Sequence, residues 1–338
     1  MLTADDFRAS KLRGFMFGSA DPDSRPSPSF FSDAQACGAN IGRTWVNLSR
    51  SGDSYIIPPG TLETIDFYLE NIQFPTVLAV TAGDINPGQD FWMKASLQSS
   101  LVSIWTQIAL RYKNSQLVAG YDLLNEPVYA APVTTLSWSV WNPIAQRLYN
   151  AIRRVDPNHV VIVCPSPGGI PTAYYYYNSF LPIVGINIVY SLHFYEPYNV
   201  THWGVYPSFP MLDTLYYPGD KPSTSWPPGK RDENWLATLL HYPRAWSLKY
   251  NIPIFVSEFS CVRWALNRSR ELWLRDSINL FNQYGFSWAY LAWRSWQGWD
   301  PENKSLSTVV NDDIHDAYGS TITILRKAFS AQYIGKDL

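Results

Sequence analysis

Two glutamates of this sequence lie at the ends of apolar stretches, where a charged side chain is unexpected. Glu126 stands between an amide and a proline in GYDLLNEPVY (120–129), and Glu258 closes the apolar run of IPIFVSEFS (252–260). A buried glutamate is rare unless another group pairs with it. The two residues are therefore candidates for acid–base chemistry in a protein interior.

Two carboxylates in one site suit acid–base work on a glycosidic bond. One must be protonated to donate to the departing oxygen, while the other, ionised, attacks the anomeric carbon or activates water. Like charges that lie close together push the two pKa values apart and so give the acid and the base separate roles. Each glutamate also has a simpler interpretation: Glu126 as a helix-capping or surface acid, and Glu258 as an ion-pair partner of Arg43 or Arg263.

Eight short, nearly continuous apolar runs recur along the chain and predict parallel strands that are covered on both faces. They lie at 14–18, 40–46, 75–80, 117–124, 159–164, 187–194, 252–259 and 286–293. Helical patterns separate several of them, at 91–112, 141–155, 234–250 and 270–284. We expect Pro243 to kink or split the third of these helices, because proline lacks the N–H that a helix uses.

This alternation predicts the α/β class, with one (β/α)8 TIM barrel that forms a single catalytic domain over residues 1–338. An open doubly wound sheet is the alternative, but it would want a Gly-rich phosphate turn, and the sequence has neither G-x-G-x-x-G nor a P-loop. A long irregular loop follows the sixth strand, over 196–233. Loops of this length are usually functional or disordered, and its aromatic rings favour an ordered wall beside a site.

In such a barrel the active site lies at the carboxyl ends of the strands. The informative residues at those ends are Arg43, Asn125, Glu126, His193, Tyr195, Glu258, Trp293 and Arg294. They are spread over about 250 residues of sequence, and they meet in space if the barrel closes.

The composition favours a sugar as the partner and argues against two other classes. The formal net charge of −2 offers no electrostatic attraction for nucleic acid or for an anionic membrane. Aromatic residues make up 16% of the chain, with 15 Trp and 22 Tyr, and flat amphipathic rings are what sugar faces stack on. The tryptophans that could pave an extended cleft, although each could equally be packing, are Trp45, Trp203, Trp226, Trp264, Trp296 and Trp299.

Other chemistries find little support. Five His show neither His-Glu-x-x-His nor another paired metal-ligand spacing, so we expect no metal and no cofactor. Gly-x-Ser-x-Gly is absent, which leaves a serine hydrolase without its nucleophile. Cys37, Cys164 and Cys261 lie far apart, and we expect buried free thiols rather than a disulfide or a zinc site.

The sequence leaves the compartment open. It has no run of about 18 apolar residues that could span a membrane. The start, MLTADDFRAS, lacks the basic and apolar regions of a signal peptide. Either the protein stays inside the cell or a signal has been removed.

The order and spacing of five motifs resemble those of glycoside hydrolase family 5, the cellulase family of the retaining (β/α)8 clan. The motifs are Arg43, Asn125-Glu126-Pro127, His193-Phe194-Tyr195, Glu258 and Trp293. Asn-Glu-Pro after strand four, with a Glu in an apolar strand seven, is typical of the clan. The His-x-Tyr and the strand-eight Trp narrow the resemblance to the family, and it covers essentially the whole chain.

The resemblance implies the central roles. It makes Glu126 the general acid/base and Glu258 the nucleophile. Asn125 would hold the sugar 2-hydroxyl, a contact that strengthens in the transition state.

The resemblance also implies supporting roles. Tyr195 would donate a hydrogen bond to the nucleophile carboxylate, and Arg43 would keep that carboxylate ionised. His193 would line the cleft near the acid/base, and Trp293 would form the floor of the subsite for the reacting sugar. Taken singly, a strand His or Trp is more often a core residue.

One departure concerns substrate preference. The family usually carries a His soon after strand three, but AVTAGDINPG (79–88) has none. Asp84 or Asn86 would have to supply its sugar contacts, or this subsite is built differently.

The resemblance implies a monomeric, retaining, endo-acting hydrolase of β-1,4-glucan that acts without a cofactor and is secreted in its mature form. The alternatives are a β-mannanase, a xyloglucanase, a mixed-linkage glucanase, or a transglycosylase that passes the glycosyl unit to a sugar. A non-catalytic carbohydrate-binding barrel is also conceivable, but the presence of both carboxylates argues against it.

Overall fold

Eight parallel strands close into a barrel in the computed structural model, which describes residues 1–82, 89–129, 135–175, 180–205, 215–219, 229–308 and 314–330. Each strand pairs with its neighbours in sequence, and β1 pairs with β8 to close the ring. The strands are β1 Arg13–Ser19, β2 Ile41–Asn47, β3 Thr76–Thr81, β4 Val118–Asp122, β5 Val160–Val163, β6 Ile188–Phe194, β7 Ile254–Phe259 and β8 Ser287–Leu291. All eight predicted strands, and the (β/α)8 class, are confirmed.

Helices cover the outside of the barrel. The longer ones are α1 Pro28–Ala36, α2 Thr61–Asn71, α3 Ala95–Tyr112, α4 Thr135–Arg153, α5 Glu233–Tyr250, α6 Ser269–Tyr284 and α7 Ser320–Phe329. The four predicted helices correspond to α3 through α6, whereas α1, α2 and α7 were not recognised. Between β5 and β6 the described residues contain a 3-10 turn, Pro171–Tyr174, in place of a longer helix.

Helix α5 is not split at Pro243, because the helix continues through this residue. Its start is defined by Asp232, whose side chain accepts the backbone N–H groups of Asn234 and Trp235. Its end is defined by Asn251, in the left-handed conformation. Pro243 is itself buried on the face that packs inward, so burial of this face compensates for the one missing N–H bond.

The apolar residues of the strands form two layers. Side chains that point inward make a compact cluster inside the barrel, which includes Ile41, Val77 and Ala119. Phe7, from the turn Ala4–Phe7, joins this cluster with its ring 5.3 Å from that of Phe255. Side chains that point outward pack beneath the helices in a second, larger cluster. Burial on both faces explains why the strands read as continuous apolar runs.

Two connections at the carboxyl ends of the strands carry structure of their own. After β2 the chain forms a hairpin of Ser49–Ser51 and Ser54–Ile56, which the sequence analysis did not anticipate. The predicted long loop after β6 begins with a short helix, Tyr198–Thr201, and the loop later forms a bridge between Gly219 and Arg231. Trp226 lies outside the described residues.

The three cysteines are buried free thiols, as predicted. Within the described ranges, none of the helices has the length and apolar character needed to cross a membrane.

Candidate active site

The carboxyl ends of the strands surround a cavity of about 720 Å³. Both glutamates line it, although they come from strands on different sides of the barrel. The lining residues are Ser19, Trp45, Asn47, Leu48, Thr81, Asn125, Glu126, Tyr195, Tyr198, His202, Glu258, Leu291 and Trp299.

Glu258 lies within β7 and is almost completely buried, with 3% of its surface exposed. Its Oε1 accepts a hydrogen bond from Arg43 Nη1 at 2.7 Å, and its Oε2 accepts one from Tyr195 OH at 2.9 Å. Both carboxylate oxygens are therefore paired, which satisfies the requirement for burying a charge.

Glu126 follows β4 and is more open, with 31% of its side chain exposed. Its φ of 45° lies in the left-handed region, which is uncommon for a residue with a side chain. The backbone N–H of Asn125 still bonds to Val80 O at 2.8 Å, so the chain leaves the barrel only after that residue. The turn that follows presents Glu126 over the cavity, and strained backbone of this kind clusters at functional sites.

His193 connects the two glutamates. Its Nδ1 lies 2.8 Å from Glu126 Oε1 and 3.5 Å from Glu258 Oε2. An ionised Glu126 accepts this hydrogen bond from Nδ1–H, whereas a protonated Glu126 donates it to Nδ1. One carboxylate oxygen from each glutamate and one imidazole nitrogen of His193 lie within 4.8 Å of one another.

Arg43 organises the floor of the site and is completely buried. Besides Glu258, it donates to Asp122 Oδ2 from Nε at 3.2 Å and from Nη2 at 3.0 Å. Its Nη2 also donates to Asn125 Oδ1 at 2.8 Å, and Trp45 Nε1 donates to the same oxygen at 3.2 Å. With both bonds on Oδ1, the Nδ2 group of Asn125 has no acceptor among the described residues and is available to a ligand in the cavity.

These contacts set the charges of the site. Burial by itself would raise the pKa of Glu258, but the positive charges of His193 and Arg43 and the hydrogen bonds it accepts lower that pKa. Burial opposes the charge on Arg43, but Asp122 and Glu258 outweigh it and raise the guanidinium pKa. Burial likewise opposes the charge on His193, and the two glutamates raise its pKa on balance.

The donor set of Glu126, His193 and Glu258 is compact enough to be considered for a metal ion. A cation between these groups would meet the guanidinium of Arg43, 2.7 Å from Glu258 Oε1. It would also compete with the proton between His193 Nδ1 and Glu126 Oε1. The arrangement therefore fits proton transfer between side chains better than metal ligation.

The structure brings most of the predicted site residues together. Arg43, Asn125, Glu126, His193, Tyr195 and Glu258 form one connected network, and Trp45 lines the cavity. In the place of the missing His after β3, the cavity is lined by Thr81. Asp84 and Asn86 lie outside the described residues.

Trp293 corrects the sequence analysis. It is fully buried, with its ring 4.7 Å from that of Phe15 and its Nε1 donating to Phe30 O at 2.8 Å. The side chain that faces the cavity from the end of β8 is Leu291. Trp293 is two residues further along and turns into the layer beneath the helices, so it does not form the floor of the cavity.

Three more of the tryptophans that were candidates for the cleft do not line this cavity. Trp203 and Trp264 are each 5% exposed, and Trp264 Nε1 donates to Trp203 O at 2.7 Å. Trp296 is half-buried behind Trp299, with the two rings 4.5 Å apart. These rings pack against one another, and Trp299 is the member of the group that reaches the cavity.

Several residues in or beside the cavity were missed, among them Asp122, Tyr198, His202 and Leu291. Asp122 pairs with Arg43, and burial raises its pKa although Arg43 opposes this. A lone acid in the apolar run before Asn-Glu-Pro was a signal for it. Tyr198 and His202 line the cavity from the short helix after β6, where their spacing of four residues places them on one face. Leu291 carries no signal, because an apolar strand end is ordinary.

Comparisons with known proteins agree with this geometry. A family model described as cellulase (glycosyl hydrolase family 5) matches residues 79–298, well over half of the chain. Endoglucanase H of Acetivibrio thermocellus is 24% identical over an alignment of 264 residues, which covers 72% of this chain. The aligned part is 24% of that relative, so the chain spans about a quarter of its length.

Two solved structures are similar in fold. Subunit Z of the clostridial cellulose synthase, from Clostridioides difficile, has a TM-score of 0.73 at 23% identity, over 93% of this chain and 99% of that one. Cel5A of Thermotoga maritima, solved in complex with cellobiose, has a TM-score of 0.71 at 19% identity, over 96% of this chain and 99% of that one. At these identities the likeness shows the barrel fold alone. The match of the family model, by contrast, shows that the chain belongs to the cellulase family of glycoside hydrolases, glycosyl hydrolase family 5.

Proposed function

We propose that this protein is a retaining, endo-acting glycoside hydrolase that cleaves β-1,4-glucan with Glu258 as nucleophile and Glu126 as acid/base. The observation that carries the proposal is the separation of the two carboxylates, whose nearest oxygens lie within 4.8 Å. Retention goes with carboxyl groups about 5–5.5 Å apart, whereas inversion needs about 6.5–9.5 Å to admit a water molecule.

The surroundings of the two glutamates support this division of roles. Glu258 is buried and kept ionised by Arg43 and His193, which suits a nucleophile that must be unprotonated. Glu126 is the more exposed of the two, so that solvent reaches its carboxyl group, as the acid/base role requires. His193, bonded to Glu126 Oε1, holds its carboxyl in place.

In the first half of the reaction the Glu258 carboxylate bonds to the anomeric carbon as the glycosidic C–O bond breaks. The proton of Glu126 moves to the departing oxygen, and the leaving sugar is released. In the second half, Glu126 removes a proton from water, whose oxygen bonds to the anomeric carbon and frees Glu258. Asn125 Nδ2 is the donor available for the sugar 2-hydroxyl throughout.

The β-1,4-glucan assignment rests on the family and on the relative named an endoglucanase. Thr81 and Leu291 line the cavity where the family resemblance implied His and Trp. Mannan, xyloglucan and mixed-linkage glucan are therefore the substrates to compare with cellulose.

The test measures reducing ends released from carboxymethyl cellulose, mixed-linkage glucan, mannan, xyloglucan and xylan. The expected result is cleavage of one β-glucan, with a loss of about three orders of magnitude or more in Glu126→Ala and Glu258→Ala. Glu70→Ala, an exposed acid on α2, serves as the matched control and should keep full activity.

A second measurement follows the anomer formed first, by NMR. The β-anomer is expected, since two displacements restore the starting configuration. An α-anomer, or cleavage that survives in Glu258→Ala, would contradict the mechanism. Absence of cleavage on all five polymers would contradict the proposed activity.

A further inference from the structure

The wall of the cavity beside Glu258 contains an aromatic ring from the segment after β8. Trp299 lines the cavity together with Tyr195, whose hydroxyl bonds to Glu258 Oε2 at 2.9 Å. The rings of Trp299 and Tyr195 are stacked, with centroids 5.8 Å apart and planes inclined by 28°. Trp299 therefore contacts Tyr195, which in turn bonds to the carboxylate that would attack the sugar.

Other rings hold Trp299 in this orientation. Trp296 packs edge-on against it at 4.5 Å, and His202 does so at 5.2 Å. Burial lowers the pKa of His202 to about 4, so this imidazole is uncharged at neutral pH. The rings that contact the indole of Trp299 are therefore uncharged, which suits a stacking surface for a neutral sugar.

The backbone of Trp299 is anchored as firmly as its ring. Its carbonyl accepts hydrogen bonds from Tyr290 OH at 2.7 Å and from Arg270 Nη2 at 3.0 Å. Arg270, from α6, also donates to Asp300 O at 2.6 Å. Since Tyr290 belongs to β8, two elements of the barrel fix the position of a residue that lies beyond the strand.

The indole N–H of Trp299 has no acceptor within the described part of the chain. Because this N–H is itself buried, the part of Trp299 that lines the cavity is the ring surface rather than the donor. An aromatic ring surface that faces a cavity is suited to a pyranose, which offers a C–H face.

We propose that Trp299 is the stacking platform for the sugar unit next to Glu258, in place of an aromatic residue at the end of β8. Leu291 occupies that strand end, and the ring that restores an aromatic wall comes from eight residues further along. The inference rests on the proposed function, because it assumes that the ligand of this cavity is a carbohydrate.

The test measures oligosaccharide binding rather than turnover. Calorimetric titrations with cellohexaose and with mannohexaose use the full chain carrying Glu258→Gln, so that hydrolysis does not consume the ligand. In this background Trp299→Leu removes the flat ring but keeps an apolar side chain, and Trp299→Phe keeps a ring without the N–H.

Two other tryptophans provide controls. Trp293→Phe tests the residue that the family resemblance favoured, and Trp138→Leu removes a half-buried indole on α4, away from the cavity, whose ring lies 6.0 Å from that of Phe180. Thermal melting of every variant shows whether it is folded at the temperature of the titration.

Binding of the better oligosaccharide should weaken at least about tenfold, or about 1.4 kcal/mol, in Trp299→Leu and less in Trp299→Phe. Trp293→Phe and Trp138→Leu should change affinity by less than about threefold. Equal affinity in Trp299→Leu and its parent would overturn the proposal, as would a larger loss in Trp293→Phe than in Trp299→Leu. Absence of binding by the parent would overturn it too.

These outcomes are separable from those of the proposed function. If no polymer is cleaved but the oligosaccharide binds and Trp299→Leu abolishes binding, the hydrolase assignment fails and the platform stands. If a polymer is cleaved and Trp299→Leu binds the oligosaccharide normally, the hydrolase assignment stands and the proposed role of Trp299 fails.

Discussion

At the scale of single residues, the reactivity of the site depends on how the charge of Glu258 is compensated. One guanidinium, one imidazole and one phenol contact this carboxylate or lie close to it. Burial works against the negative charge, and these partners outweigh burial. Removing each neighbour separately should therefore change the pKa or the reactivity of Glu258.

Removing the guanidinium should shift the acid side of the pH profile. Arg43 lowers the pKa of Glu258, so Arg43→Gln raises it, and activity is lost at a higher pH as the solution is acidified. The midpoint of the acid limb of kcat/KM should rise by about one pH unit or more. Arg43→Lys, which keeps a positive charge, should shift it less.

Arg111→Gln is the control for this experiment, because it breaks the pair with Asp66 on the surface. Its acid limb should coincide with that of the parent. An unchanged midpoint in a folded Arg43→Gln variant would show that Arg43 does not control the ionisation of Glu258.

Removing the phenol hydroxyl should slow the reaction without unfolding the protein. Tyr195→Phe deletes a hydrogen bond to a charged oxygen, typically about 1.5–3 kcal/mol, so kcat/KM should fall about 10–100-fold. Tyr174→Phe, which loses a buried bond to Ser191 O outside the cavity, should leave kcat/KM near that of the parent. Equal kinetics for both variants would remove Tyr195 from the mechanism.

At the scale of elements, some parts of the site come from the strands and others from the connections that follow them. β7 carries Glu258 directly, while Glu126 comes from the turn after β4 and His202 from the segment after β6. Strand residues are fixed by the barrel itself, whereas connection residues depend on the helices that hold the following segment. A change that destabilises one helix should therefore leave the reactivity of Glu258, a strand residue, unchanged.

Helix α5 offers a direct measurement of this separation. Asp232→Ala removes a side chain that caps two backbone N–H groups and should lower the free energy of unfolding by about 1 kcal/mol. Glu233→Ala, in the same turn but without a capping bond to the backbone, should cost only a few tenths. Urea denaturation measures both, and kcat/KM should stay constant. Equal stability of the two variants would argue against the cap.

At the scale of the whole molecule, polar contacts at the end of the barrel opposite the site tie neighbouring strands together. Asp156 Oδ2 accepts a hydrogen bond from Tyr121 OH on β4 at 2.8 Å and lies 2.5 Å from His159 Nδ1, just before β5. Its other oxygen accepts the backbone N–H groups of Asn158 and His159. Burial opposes the charge of Asp156, but these bonds lower its pKa to about 2.

The low pKa of Asp156 predicts how stability depends on acid. A carboxyl whose pKa is lower in the folded state stabilises the protein above its unfolded pKa, near 4, and this contribution is lost as pH falls towards 2. The melting temperature should therefore drop over this window. Asp156→Asn should melt lower at pH 7 and show a shallower drop, whereas exposed Asp53→Asn should follow the parent. Parallel curves for Asp156→Asn and the parent would contradict the assignment.

The sequence by itself determined the barrel, because parallel strands buried on both faces are continuous apolar runs that can be recognised locally. It also identified Glu126 and Glu258 as candidate site residues, since an acidic residue at the end of an apolar run is unusual. It could not show that α5 continues through Pro243, because the compensating burial comes from contacts with the rest of the barrel.

Only the tertiary structure decided which tryptophan faces the cavity. Trp293 and Trp299 both lie shortly after β8, and the local sequence does not distinguish their environments. The turn of the chain after Leu291, and the bonds from Arg270 and Tyr290 to Trp299 O, send one ring into the core and the other to the wall. Arg270 and Tyr290 come from two different elements. A local sequence pattern therefore cannot predict which of the two rings lies beside Glu258.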